Sequence, residues 1–89
     1  MAVPTFCEYR GIKFLMYYEE GKHHLPHFHL LGKGIDVVFS LSGVLLEGLL
    51  PGQLERIISQ WAKEHNIELG ENWQRARSKI SLLPIAPPR

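Results

Sequence analysis

The sequence predicts an α+β fold: an antiparallel sheet of three to four strands in a meander, then two C-terminal helices packed on one face, and an extended tail. Three observations lead there. Residues 12–48 alternate apolar and polar side chains with a period of two, in short runs separated by turn signals. From Pro51 onward the apolar period becomes that of a helix. Pro84, Pro87 and Pro88 then exclude helix from the end of the chain.

The first residues, Met1 to Arg10, read as a loose arm with Pro4 early, anchored by Phe6 and Tyr9. Gly11 marks a turn. Ile12–Glu19 is the first strand, with Ile12, Phe14, Met16 and Tyr18 on one face and Lys13, Leu15, Tyr17 and Glu19 on the other. Glu20-Gly21-Lys22 is a turn. His27–Leu31 follows as a strand of aromatic and apolar β-formers. Gly32-Lys33-Gly34 permits a tight reversal into Ile35–Leu41, and Ser42-Gly43 turns into a short strand over Val44–Gly48. Every connection is short, which favours neighbouring antiparallel strands. Pro51 suits the first turn of a helix. Leu54, Ile57, Ile58, Trp61, Ala62 and His65 then fall on one stripe. A second helix is expected over about Glu68–Lys79, with Leu69, Trp73, Ala76 and Ile80 as its apolar stripe. The tail from Ser81 is too apolar for free solvation, so it should lie across the body or against a partner chain.

The chain has 89 residues, which indicates a single domain over 1–89, and its 45% hydrophobic content is that of a globular protein. A net charge of +1 provides no field strong enough to hold nucleic acid without a local basic patch. The one cysteine, Cys7, excludes an internal disulfide and a Cys-rich metal knuckle, and is expected as a buried apolar residue. No secretory leader and no run long enough to span a membrane is visible, so the expected setting is cytoplasmic, with no membrane partner.

Chemistry concentrates in Lys22-His23-His24-Leu25-Pro26-His27-Phe28-His29, which holds four of the five histidines. Pro26 stiffens the entry and holds Leu25 extended. Alternation along the strand then puts His27 and His29 on one face, with Cα atoms roughly 6–7 Å apart. Imidazole is the side chain that changes charge near neutral pH, and it serves as acid, base or ligand. One reading is general acid–base work on a phosphodiester by His27 and His29. Another is a metal site with His23 or His24, although no cysteine or carboxylate lies at a ligand spacing. The plain alternatives have Phe28 and Leu30 in the core, with the histidines as ordinary polar residues of a half-exposed strand or with His27 buried and hydrogen-bonded to backbone. In the second helix, Glu68 and Glu71 precede Arg75, Arg77 and Lys79, an order that complements the helix dipole. Its functional reading is a phosphate-binding edge formed by Arg75 and Lys79, four apart, with Arg77 pointing elsewhere.

The pattern His23-x-x-Pro26-His27-Phe28-His29, followed by Asn72-Trp73 and Ile85-x-Pro87, resembles domain-of-unknown-function family 4160 over nearly the whole chain. It departs from that family at Leu25, where a second proline is common, and this departure should loosen the turn. The resemblance implies a context more than a chemistry: members stand beside another small protein, in pairs that look like bacterial toxin–antitoxin modules with this family as toxin. It also implies His23, His27 and His29 as the site, with Asn72 and Trp73 as site or core, Trp73 falling on the apolar stripe.

Together these readings give a toxin-like protein acting as a metal-independent ribonuclease. His27, His29 and His23 would be catalytic, Arg75, Lys79 and Asn72 would bind substrate, and no cofactor or metal is required. Its expected partners are a cognate small antitoxin, RNA and a second copy of the chain. The alternatives are a non-catalytic module that docks the neighbouring gene's product, or a metal-binding protein.

Overall fold

The computed structural model describes residues 4–18 and 25–89. Its sheet has five strands in sequence order, all antiparallel: β1 (Thr5–Tyr9), β2 (Ile12–Leu15), β3 (His27–Gly32), β4 (Ile35–Ser40) and β5 (Leu45–Glu47). Two helices follow, α1 (Gly52–Glu64) and α2 (Asn66–Arg77). The expected α+β meander with two C-terminal helices is therefore present, with one strand more than anticipated.

The extra strand is the N-terminal arm. Phe6, Cys7 and Tyr9 are buried, and Cys7 and Tyr9 pair with Phe14 and Ile12. The arm was anchored more strongly than its Pro4 suggested, because it completes the sheet's edge. Burial pushes the Cys7 thiol up to about 11, so the group stays protonated at neutral pH and is no nucleophile.

One face of the sheet meets the helices. Phe14 and Phe28 stack with ring centroids 6.1 Å apart, Phe28 and Phe39 at 5.7 Å, and Trp61 of α1 sets an edge against Phe14 at 4.9 Å. Offset and edge contacts of this kind suit the ring quadrupoles. Ile58, Ala62, Leu69 and Ala76 close the core from the helix side. The opposite face departs from simple solvation: Leu15 and Val38, which flank His29 in the paired strands, are both buried.

Helix α2 begins and ends two residues earlier than the sequence suggested. Only His65 separates it from α1, and the Leu69 amide still donates to the His65 carbonyl at 2.9 Å. At the far end Lys79 has φ of 57°, its amide donates to Ala76, and the Ile80 amide reaches back to Arg75. This is a left-handed helix stop. It puts Ile80 outside the apolar stripe, half exposed.

The tail lies extended on the body, one of the two places anticipated for it. The Ile85 amide donates to Phe6 of the edge strand at 3.0 Å, Ile85 is buried, and the Trp61 indole donates to the Ala86 carbonyl at 2.8 Å. The β4–β5 turn sits on α1. A Cβ on Gly43, whose φ is 92°, would fall 2.5 Å from the Ser59 carbonyl, so only glycine fits there.

The β3–β4 turn joins Gly32 to Ile35 through Lys33 and Gly34, both at positive φ (55° and 76°). This is the mirror-image turn that hairpins favour, and Asn-Gly is its best dipeptide. Lys33→Asn should therefore stabilise the protein by about 1 kcal/mol, raising the melting temperature by roughly 4–8 °C. A thermal melt of the variant against the parent checks it.

Candidate functional site at the start of the third strand

The site forms where β3 begins and β2 has just ended. Pro26 leads directly into His27, and the His27 Nδ1 lies 2.7 Å from the Leu25 carbonyl. A carbonyl only accepts, so Nδ1 carries the proton, and in the neutral ring the lone pair is on Nε2. The turn expected to loosen lies largely outside the described residues, which resume at Leu25. Its side chain is exposed, and it is the backbone oxygen that holds the imidazole.

Alternation along β3 brings His29 out beside His27, with ring centroids 5.1 Å apart. Tyr17, two residues past the end of β2, sets its ring 4.7 Å from that of His29. Trp73 of α2 tilts against His27 at 5.2 Å. One turn further along α2, Arg77 lays its guanidinium over Trp73, 4.1 Å from the ring centroid, and donates from Nη2 to the Tyr17 carbonyl at 2.6 Å. The five residues close a circuit: Tyr17, His29, His27, Trp73, Arg77 and back to Tyr17. It fastens the end of the sheet to the end of α2.

The two imidazoles are thus side by side, as the strand spacing required, but they do not both face an open hollow. His27 is 1% exposed and His29 is half buried. A groove of about 690 Å³ lies elsewhere, between α1 and the tail, bounded by Trp61, Glu64, His65 and Pro87. None of the circuit's residues lines it.

The remaining anticipated site residues separate. His23 lies outside the described residues, as does His24. Asn72 is buried at 1% exposure, and its amide group is engaged with the tail: Nδ2 donates to the Leu83 carbonyl and Oδ1 accepts from the Leu83 amide, both at 2.9 Å. It clamps the tail to the helix. Arg75 donates from Nε to the Ser81 carbonyl at 2.6 Å, again holding the tail. Lys79 lies past the end of α2 in a left-handed conformation, so it shares no helical face with Arg75. The cation that joins the circuit, through Trp73 and the Tyr17 carbonyl, is Arg77. Its spacing of four from Trp73, on a helix, was the available signal. Among the described residues, no group of three or more His, Cys, Asp or Glu side chains could hold a metal ion.

Comparison with known proteins gives one match. A family model described as a domain of unknown function, DUF4160, matches residues 11–74, and the chain belongs to that family. The match takes in β2 through most of α2, and so every member of the circuit except Arg77. No curated protein and no solved structure matches.

Because Asn72 holds the tail, Asn72→Ala should cost about 2–3 kcal/mol, two hydrogen bonds and a small cavity. It should also open the segment after Ile80 to proteolysis. Urea melts and limited digestion check it. A variant as stable as the parent would return Asn72 to the list of substrate contacts.

Proposed function

We propose that this member of the family is a toxin-like ribonuclease that works without a metal, with His29 as its proton-transferring group. The observation that supports this reading most is the pair of imidazoles 5.1 Å apart inside a circuit that also contains a guanidinium. Metal-independent cleavage of RNA needs a base for the ribose 2′-hydroxyl, a proton for the leaving 5′ oxygen and a positive group for the phosphate.

His29 is the more accessible imidazole and takes the 2′-hydroxyl proton as that oxygen attacks phosphorus. The bond from phosphorus to the 5′ oxygen breaks, and the imidazolium returns the proton to that oxygen. His27, sealed beneath Trp73, acts as a positioning residue: its Nδ1 proton is committed to Leu25, and its ring backs His29. Arg77 has further N–H donors besides the one bound to Tyr17, and it sets these toward a phosphate in place of Arg75 and Lys79. A cognate small antitoxin would hold this activity in check. No helix of the described residues is long and apolar enough to cross a membrane.

A non-catalytic docking module is the second reading. Its support is the apolar surface around β5, where Val44, Leu46 and Leu49 are exposed, Leu49 to 94%. Co-purification with the neighbouring gene's product tests that surface.

The catalytic reading is tested with His29→Ala, which touches a half-buried position and should leave the fold intact. Cleavage of a single-stranded RNA by the purified protein, with a chelator present, is expected to fall by at least about 100-fold. Growth arrest on induction should be relieved in parallel. A folded His29→Ala protein that cleaves and arrests growth as the parent does would remove the catalytic assignment.

A further inference from the structure

Tyr17 stands apart from the other members of the circuit. His27 is buried, while His29, Trp73 and Arg77 are half buried; Tyr17 is 38% exposed. It is an exposed aromatic residue whose position is nonetheless fixed. Its backbone carbonyl accepts the Arg77 hydrogen bond, and its ring rests against His29 at an interplanar angle of 68°. The part of this aromatic residue that is open to solvent is a surface on which a planar group could rest. That surface adjoins the half-buried imidazole and the residue that carries the site's cation.

We propose that Tyr17 is the platform on which an unpaired nucleobase stacks, so that the site takes single-stranded RNA and not duplex. This rests on the RNA reading of the same site and specifies its substrate. The charge distribution supports it independently. The net charge is +1, which provides no strong general field for a polyanion. Affinity that cannot come from phosphate neutralisation must come from stacking, and a base offers its face only when it is out of a duplex. Arg77 beside the Tyr17 backbone provides for the phosphate of the nucleotide whose base is stacked.

The test uses a 2′-O-methyl oligonucleotide, which cannot be cleaved through its 2′ oxygen, and reads binding by fluorescence anisotropy. The full chain should bind the single strand and bind the matching duplex at least about tenfold more weakly. Tyr17→Phe should bind within about twofold of the parent, because the ring is what matters. Tyr17→Leu should lose roughly 5- to 150-fold, the range for removing one stacked base. The logarithm of affinity should fall with that of salt with a slope of about −1, the value for one or two phosphate contacts on a single strand.

Tyr17→Leu binding as tightly as the parent, or the duplex binding as well as the single strand, would overturn the proposal while leaving catalysis by His29 in place. Stacking without cleavage of ordinary RNA would support it and remove the catalytic reading instead. No binding of either strand would overturn both.

Discussion

The structure turns on a buried imidazole. His27 is almost wholly withdrawn from solvent, and burying a polar ring is costly unless its donor finds an acceptor. Its Nδ1 proton is given to Leu25, a carbonyl two residues back across a proline. Pro26 makes that short loop stiff, so donor and acceptor meet with little loss of freedom. With His27 fixed, the tryptophan of α2 has a flat partner to lean on, and His29 has a neighbour that limits its rotation. The guanidinium over the far side of this arrangement reaches the backbone just past β2. Removing the His27 ring would therefore disturb contacts on two strands and a helix together.

Helix α2 serves two surfaces. Trp73 and Arg77 bind the end of the sheet, while Asn72 and Arg75 hold the backbone of the tail. Neighbouring residues thus tie the circuit to the segment that lies along the body and reaches the edge strand. The arrangement explains why a polar residue, Asn72, is among the most deeply buried side chains of the helix: a tail lying extended offers paired backbone groups that an amide satisfies exactly in kind, a donor for a carbonyl and an acceptor for an amide.

Much of the fold was legible because alternation and helical spacing are dictated by burial on one face. Phe28 and Leu30 inward with His27 and His29 on the other side, and Val37 and Phe39 in the core, follow from that rule. The N-terminal strand was obscured by its proline, since edge pairing depends on a distant partner strand and leaves little local trace. In α2, the spacing puts Arg75 and Lys79 on one helical face, but the helix ends at Arg77 and Lys79 lies beyond it. Trp73 is only partly covered, because it faces the sheet's end instead of its centre, and Arg77 follows it there. A His27 buried and bonded to backbone is one of the plain alternatives, but the sequence does not select it over an exposed one. A strand with one apolar face does not say which polar residue on the other face a helix will cover.

The pairing of a covered imidazole with a more open one changes the chemistry expected of the motif. Two exposed histidines would divide acid and base work between them. On the proposed reading, the more open ring would meet the RNA strand and the covered one would hold it, so a single imidazole would carry the proton from the attacking oxygen to the leaving one. Attack by the neighbouring 2′ oxygen must leave a cyclic phosphate. The direct measurement is the chemical nature of the ends left when the purified protein cuts a defined single-stranded RNA in the presence of a chelator. The account requires 2′,3′-cyclic phosphate and 5′-hydroxyl ends, with a 2′-deoxy nucleotide at the cut position blocking the reaction; 3′-hydroxyl and 5′-phosphate ends, or cleavage across the deoxy position, would contradict it.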